Sequence, residues 1–325
     1  MSRVSRVFVS GGAGFIGSHI CERLLEMDHE VVCFDNLITG STNNITHLEG
    51  KSGFVFIEND LRNEEDVGSA LSDCTHVCHQ AALGSVPRSI ENPILTNEIN
   101  ITGSLNLLFQ SVQKSVERFV FASSSSVYGD NLVMPKKEEN TGKPLSPYAV
   151  TKSALEDYTR VFNEIYEIDT IGLRYFNIFG PRQSPAGAYA AVIPIFMKLL
   201  MDGERPVIFG NGEQTRDFTY VKNSVDANIL ALFADVPDAY GKTFNVACGS
   251  TYSINDIFGM IHEELNEIGA LEGKIDPKYG PDRTGDILDS LADLNNVKKY
   301  LNYSPKITVE DGIRETVRWF VENYE

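Results

Sequence analysis

The sequence predicts an α/β fold: a doubly wound parallel sheet with a smaller C-terminal α/β lobe. Three observations predict it. Short apolar runs alternate with helical patterns through the first half. The first run leads through a glycine-rich turn straight into a helix. After about Asn177 the alternation loosens, with more Gly and Pro and shorter elements.

The strands read in order as Arg6–Ser10, Glu30–Phe34, Phe54–Glu58, His76–Gln80, Arg118–Ser123 and Thr170–Phe176. Each is a short run rich in Val, Ile and Phe, the side chains that suit a sheet buried on both faces. Helical periodicity fills Phe15–Met27, Pro93–Lys114 and Pro147–Tyr166 between them. Later helices are expected to begin near Val192, Val221, Ser253, Asp293 and Val309. The division falls at residues 1–176 and 177–325, with late segments free to return to the first unit. Such a sheet binds its ligands at the carboxyl ends of its strands.

Composition narrows the partners. Of 325 residues 42% are hydrophobic, enough for a substantial core. The 45 acidic and 28 basic residues leave a formal charge of −17, which argues against nucleic acid as a bulk electrostatic partner. A small anionic ligand stays possible, because a few arginines make a local positive pocket. No apolar run is long enough to span a bilayer, and no leader pattern opens the chain, so no membrane partner is expected. Five scattered cysteines, an odd number, fit a reduced cytoplasmic protein. The stretch "CTHVCH" (Cys74–His79) has metal-like spacing, but a strand there sends successive side chains to opposite faces. No metal site is expected.

"VSGGAGFIGSH" (Val9–His19) spaces its glycines at Gly11, Gly14 and Gly17 between a strand and a helix. This is the Rossmann-type arrangement. Gly11 permits the tight turn, Gly14 the close approach of a pyrophosphate, and Gly17 close helix–strand packing. The helix N-terminus then faces the phosphates. Asp35 ends the second strand, where a carboxylate accepts from ribose hydroxyls and repels an added phosphate, so NAD is favoured over NADP. Asp60 and Leu61 are placed to meet the adenine. "HQAA" (His79–Ala82) brings small residues past the cofactor.

"SPYAVTK" (Ser146–Lys152) sets Tyr148 and Lys152 four apart on one helix face. A tyrosine ionises at pH ~10, so a phenolate at neutral pH costs about 4 kcal/mol. A nearby lysine cation offsets much of that and makes Tyr148 a usable base toward an alcohol.

Through these motifs the chain resembles the extended short-chain dehydrogenase/reductase family over nearly its whole length. Within it the resemblance is to the nucleotide-sugar 4-epimerases. "GGAGFIG", "DNL" (Asp35–Leu37), "ASSSSVYG", "SPYAVTK" and "LRYFNIFGPRQ" (Leu173–Gln183) all match in order. The resemblance implies a catalytic hydroxyl at Ser124, the base at Tyr148 and its partner at Lys152. It adds Phe15, Ile16, Asn36, Gln80, Ala81, Ala82 and Asn100 to the contacts of a tightly held NAD. Relatives that dehydrate the sugar carry an acidic pair just after the catalytic Thr. Here those positions are Ser125 and Ser126, and a hydroxyl is a poor acid or base at neutral pH.

The same resemblance places a UDP-sugar in the second half. Asn177, Arg216, Arg283 and Asp286 match diphosphate and ribose contacts, and Val207 and Phe209 the uracil-binding strand. The arginines suit that task, since guanidinium forks bind diphosphate oxygens. Ser85, Ser125, Ser126, Gln183, Ala191 and Val192 join the sugar pocket. Ser290 takes the gatekeeper position, where relatives restricted to unacetylated sugars carry a large Tyr. A small Ser leaves room for an N-acetyl group. "QAALGSVPRSIENP" (Gln80–Pro93) and "GAYAAVIP" (Gly187–Pro194) resemble the subgroup acting on UDP-N-acetylhexosamines and their uronic acids. Gly84 departs from the Lys of many galactose-type relatives. Arg88 either pairs with a sugar carboxylate or sits on the loop surface.

The expected function is therefore 4-epimerisation of UDP-N-acetylglucosamine, as a step toward polysaccharide. Two alternatives stand: a 4-epimerase of UDP-glucose or a UDP-hexuronic acid, and a non-catalytic NAD-sensing or scaffold protein. The helices Pro93–Lys114 and Pro147–Tyr166 match a four-helix contact in relatives, so a homodimer is expected.

Overall fold

The computed structural model describes residues 4–185, 190–281 and 289–323. Seven parallel strands form the central sheet: β1 (Arg6–Ser10), β2 (Glu30–Asp35), β3 (Phe54–Glu58), β4 (His76–His79), β5 (Arg118–Ser124), β6 (Asp169–Tyr175) and β7 (Lys242–Val246). Their order across the sheet is β7-β6-β5-β4-β1-β2-β3. All six pairings are parallel. The direction of winding reverses between β1 and β4, which opens a crevice at their carboxyl ends. This is the predicted doubly wound Rossmann-type sheet.

Period-two alternation splits the sheet between two cores. Val7, Val9, Val120 and Leu173 face one side, where they meet Ile20 and Leu24 of the Phe15–Glu26 helix. Phe8, Val32, Phe119 and Phe121 face the other, against Leu107, Leu108, Leu155 and Phe162. With both faces covered, the strands need the near-continuous apolar runs that made them visible in the sequence. β7 comes from the second half of the chain and pairs with β6 from Lys242↔Ile171 to Val246↔Tyr175.

The stretch Pro93–Lys114, read as one helix, is helical but not uniform. It runs as Pro93–Asn97, a wider π segment Glu98–Gly103, and Ser104–Gln113. Asn100 sits in the wide turn. Its amide accepts from Leu83 N at 2.8 Å and donates to Leu83 O at 3.3 Å and to Thr151 Oγ1 at 3.1 Å. The widened turn thus coincides with a side chain that ties the helix to the chain leaving β4.

Past residue 176 the remaining strand pairings are short. Val207–Phe209 runs parallel to Lys278–Gly280, and Thr215–Arg216 antiparallel to Tyr252–Ser253. Helices Val192–Met201, Ile254–Glu267 and Val309–Asn323 lie in the same half of the chain. Ser253 and Asp256 form a capping box that starts the second of these. Among the described residues no helix is long and apolar enough to cross a membrane.

Candidate active site

The glycine turn leaves no room for side chains. Gly11 has φ +67°, and a Cβ on it would lie 2.7 Å from Ala81 N. A Cβ on Gly17 would lie 2.1 Å from Gly11 O. Gly14 caps the Phe15–Glu26 helix with backbone alone. The turn is therefore a bare backbone cradle at a helix N-terminus, suited to a pyrophosphate.

Asp35 ends β2 beside that cradle. Its Oδ2 accepts from Ala13 N at 3.0 Å and its Oδ1 from Leu37 N at 2.8 Å. Burial pushes its pKa up, against the pull of these backbone donors. Asn36 Nδ2 donates to Asp60 Oδ2 at 2.7 Å. Arg62 grips the same carboxylate at 2.9 and 2.8 Å, and these bonds hold Asp60 at about 2.

A cavity of about 580 Å³ opens along these strand ends. Gly11, Gly14, Phe15, Ile16, Gly17, Asp35, Asn36, Asp60 and Leu61 line one end. Gln80, Ala81, Ala82, Gly84, Arg88, Tyr148, Lys152, Gln183 and Ala191 line the rest. Asn100 stands behind the wall and fixes Leu83. A cradle without Cβ atoms, a carboxylate at the ribose position and a cavity of this size fit NAD. A larger open groove on the surface, lined by Arg62, Glu64 and Gln110, shares Asp60 with this cavity.

The helix Pro147–Tyr166 carries Tyr148 and Lys152. It starts cleanly because Ser146 Oγ accepts from Ala149 N at 3.1 Å and Pro147 takes the first turn. Lys152 Nζ donates to Ala122 O at 2.7 Å. Burial lowers the Lys152 pKa to about 8, and Glu156 opposes the fall. Burial raises the Tyr148 phenol, and a hydrogen bond with the Ser124 side chain pulls it down. Ser124 Oγ also accepts from Ser126 N at 3.1 Å and so caps the short turn Ser125–Tyr128. Ser126 Oγ and Gln183 Oε1 are buried polar atoms without a hydrogen-bond partner among the described residues.

His79 lies one strand away with both ring nitrogens engaged. Nδ1 pairs with Ser10 Oγ at 2.6 Å and Nε2 with Ser104 Oγ at 2.7 Å. Burial holds its pKa at about 3, so it is neutral.

The remaining residues singled out in the sequence lie apart from this cavity's lining. Ser85 caps the Val86–Glu91 helix by accepting from Arg88 N at 3.2 Å. Asn177 donates to Asp217 O at 3.0 Å, and Arg216 to Thr215 O at 2.9 Å. Val207 and Phe209 flank Ile208 on the small parallel pair, and Val192 opens its helix. Ser290 is half-buried just before Ala292, whose N–H donates to buried Asp217 at 3.2 Å. Arg283 and Asp286 lie outside the described residues, as does the start of "GAYAAVIP" at residues 187–189.

Sequence reasoning missed Tyr175, which lines the cavity at the end of β6. Its hydroxyl donates to Gln80 Oε1 at 3.0 Å and accepts from Asn228 Nδ2 at 2.7 Å. Its place at a strand's carboxyl end inside "LRYFN" was the available signal.

Comparison with known proteins agrees with this geometry. Residues 8–316 match the family described as GDP-mannose 4,6 dehydratase. A putative UDP-glucose 4-epimerase of Methanocaldococcus jannaschii is 35% identical, over 98% of this chain and 99% of that protein. The solved UDP-N-acetylglucosamine 4-epimerase of Methanobrevibacter ruminantium, in complex with UDP-N-acetylmuramic acid, is 42% identical. It superposes with a TM-score of 0.91, covering 98% of this chain and 99% of that one. The UDP-glucose 4-epimerase of Thermus thermophilus, solved with NAD, is 35% identical with a TM-score of 0.86, covering 98% and 99%. Whole-length matches at this identity, on a cavity already shaped for NAD, lead to one conclusion. The chain belongs to the extended short-chain dehydrogenase/reductase family of nucleotide-sugar epimerases and dehydratases, and it is an NAD-dependent enzyme of that family.

Proposed function

We propose that the protein interconverts UDP-N-acetylglucosamine and UDP-N-acetylgalactosamine by epimerisation at carbon 4. The observation that carries the reading is Tyr148 in the cavity lining with buried Lys152 one turn further along the same helix, anchored to Ala122 O on the strand end that carries Ser124. Tyr148 takes the proton of the 4-hydroxyl, and Ser124 holds that oxygen. Lys152 stabilises the phenolate through its positive charge. NAD, when bound in the cradle, supplies reversible hydride acceptance at carbon 4. Arg216, with Arg283, tethers the diphosphate while the 4-keto sugar turns to present its other face.

Epimerisation is favoured over dehydration by Ser125 and Ser126. Eliminating water from the sugar needs groups that move protons at neighbouring carbons, and these two hydroxyls do not serve. The orphaned Ser126 Oγ and Gln183 Oε1 are instead suited to bind sugar hydroxyls. Small Ser290 and the likeness to the Methanobrevibacter enzyme support an acetylated sugar. Arg88 in the cavity lining favours a second reading, a UDP-sugar bearing a carboxylate.

A homodimer belongs to the same proposal. Ile94 and Ile165 are 72% and 66% exposed, and Ile90, Val150 and Tyr158 are also exposed. Ile94, Val150, Tyr158 and Ile165 lie within Pro93–Lys114 and Pro147–Tyr166, the helices matched to the four-helix contact, and Ile90 lies on the adjoining helix Val86–Glu91. A second copy would bury them. A dimer that persists in sedimentation after Ile94→Glu and Ile165→Glu would argue against this face. A reduced cytoplasmic setting suits the five free cysteines.

The deciding experiment incubates the purified protein with each UDP-N-acetylhexosamine separately, without added cofactor, under proton NMR. Convergence on one mixture from both sides supports the reading and retained NAD together. Turnover only of a uronic acid would move the assignment to the second reading. No turnover of any nucleotide sugar with NAD supplied would overturn it.

A further inference from the structure

Two consecutive residues at the end of β5 are each held by a different residue of the Pro147–Tyr166 helix. Ala122 O accepts from Lys152 Nζ at 2.7 Å. Ser123 Oγ donates to Glu156 Oε1. The next residue along the strand, Ser124, is the hydroxyl that pulls the Tyr148 phenol down. Tyr148, Lys152 and Glu156 are spaced four apart, so one helix face clamps the strand end that carries Ser124. The reaction proposed above uses the first two of these helix residues and leaves Glu156 without a role.

Glu156 is also half of a buried ion pair. Arg174 of β6 donates from Nε to Oε1 at 2.9 Å and from Nη2 to Oε2 at 2.8 Å, and the two side chains are 6% and 14% exposed. Arg174 Nη1 continues to Glu138 O at 2.9 Å and Tyr128 OH at 3.1 Å. Burying two charges carries a heavy desolvation cost, and well-packed apolar side chains of similar volume often stabilise a fold as well or better. Stability is therefore a weak reason for a carboxylate at this point. What a carboxylate adds is negative charge one helical turn from Lys152.

The charged and titratable groups around Lys152 leave that task to Glu156. Tyr148 on the same helix is a neutral phenol until it ionises. His79 of β4 is neutral by burial. Arg174 of β6 is positive and turned onto Glu156. Burial works against the ammonium, and the Glu156 carboxylate is the group that works for it.

We infer that Glu156 is a positioning residue for the Ser124–Tyr148–Lys152 site: it fixes the strand end through Ser123 and keeps Lys152 protonated through its charge. The inference rests on the epimerase reading for its kinetic consequence only.

Glu156→Gln tests it, because glutamine keeps an oxygen for Ser123 and removes the charge. Two readouts are taken across pH: kcat for the converted UDP-sugar, and the carbon NMR shift of Lys152 Cε without substrate, assigned by its loss in Lys152→Met. The expected result is a roughly 3- to 10-fold loss of Lys152 proton affinity. The alkaline limb of kcat is expected to move to lower pH by the same factor, with both restored toward the native values in Glu156→Asp. Glu156→Gln/Arg174→Gln is carried in parallel, so that an unpaired buried guanidinium does not decide the outcome by unfolding the protein. An unchanged Lys152 titration in a folded variant overturns the inference, as does equal loss in the Asp and Gln variants. If the native enzyme turns over no nucleotide sugar, the functional reading falls, and the NMR titration still decides the role of Glu156.

Discussion

Lys152 Nζ lies 5.9 Å from the centre of the Tyr148 ring while it donates at 2.7 Å to Ala122 O. The lysine is thus anchored to the strand that carries Ser124, with its charge near the phenol it serves. Tyr148→Phe keeps the ring and removes the proton acceptor. Its kcat is expected to fall about 10²- to 10⁴-fold. NAD released on denaturation should match the native protein. A folded variant with near-native turnover would remove Tyr148 from the reaction.

Ser290 governs which sugars enter, on the proposed reading. Ser290→Tyr is expected to abolish conversion of UDP-N-acetylglucosamine and to spare UDP-glucose. Parallel NMR time courses on the two sugars distinguish this from a general loss. Failure of both would show that Tyr at this position disrupts the lobe rather than filling an acetyl pocket.

Asp35 is bonded to Ala13 N and Leu37 N, so its carboxylate is held facing the cavity before any ribose arrives. Asp35→Asn keeps one acceptor and loses the charge. We expect a weaker hold on NAD, by about tenfold for the loss of one charge-assisted hydrogen bond. Discrimination against NADP should narrow as well. Cofactor retained through repeated ultrafiltration measures the first, and competition between the two cofactors the second.

Gly17→Ala places a methyl group where Gly11 O already stands, 2.1 Å from the new Cβ. Backbone, not a flexible side chain, has to move. A destabilisation of about 1–3 kcal/mol, read as a lower midpoint in urea, is the expected result. Loss of bound NAD should accompany it. The same change at Gly259, which meets nothing within 4 Å, is the control.

His79 makes the fold acid-sensitive. Its pKa falls from 6.5 to about 3 in the folded protein, because burial disfavours the imidazolium. Between those values the unfolded chain binds the proton and the folded chain does not. Stability therefore declines as pH drops from about 6.5 toward 3, by up to about 1.4 kcal/mol per pH unit from this one group. Urea midpoints across that range should show a shallower acid slope in His79→Gln. An unchanged slope would mean that the imidazole is charged in the fold.

Much of the first half was legible because its signals are local. Val7–Val9, Val31–Phe34 and Phe119–Phe121 are buried on both faces and so form plain apolar runs. Gly11, Gly14 and Gly17 need only a strand before them and a helix after. Tyr148 and Lys152 are four apart on one helix, and their meeting follows from the helical period. What stayed illegible depends on distant partners. β7, with sequence KTFNV, has too few apolar residues to declare itself, and only β6 makes it a strand. Glu156 and Arg174 stand on a helix and the strand after it, and nothing in the sequence pairs them, although they close on each other in the interior. The π segment at Asn100 is set by Leu83 and Thr151, which no periodicity in Pro93–Lys114 could reveal. In the second half the helices beginning near Val192, Val221, Ser253 and Val309 were legible, and the strands, two or three residues long, were not.

The late arrival of β7 bears on how the chain matures during synthesis. β6, with Ile171 and Leu173 wholly buried, has β5 on one side and β7 on the other. Residues 176–241 must leave the ribosome before that second neighbour exists. Until then β6 offers a row of unpaired backbone donors and acceptors flanked by apolar side chains, a ready template for pairing with another nascent chain. A fragment ended at residue 176 would keep that edge permanently. β6 is thus covered on both sides only when the chain through Val246 has been made, and β7 then takes over as the edge of the sheet.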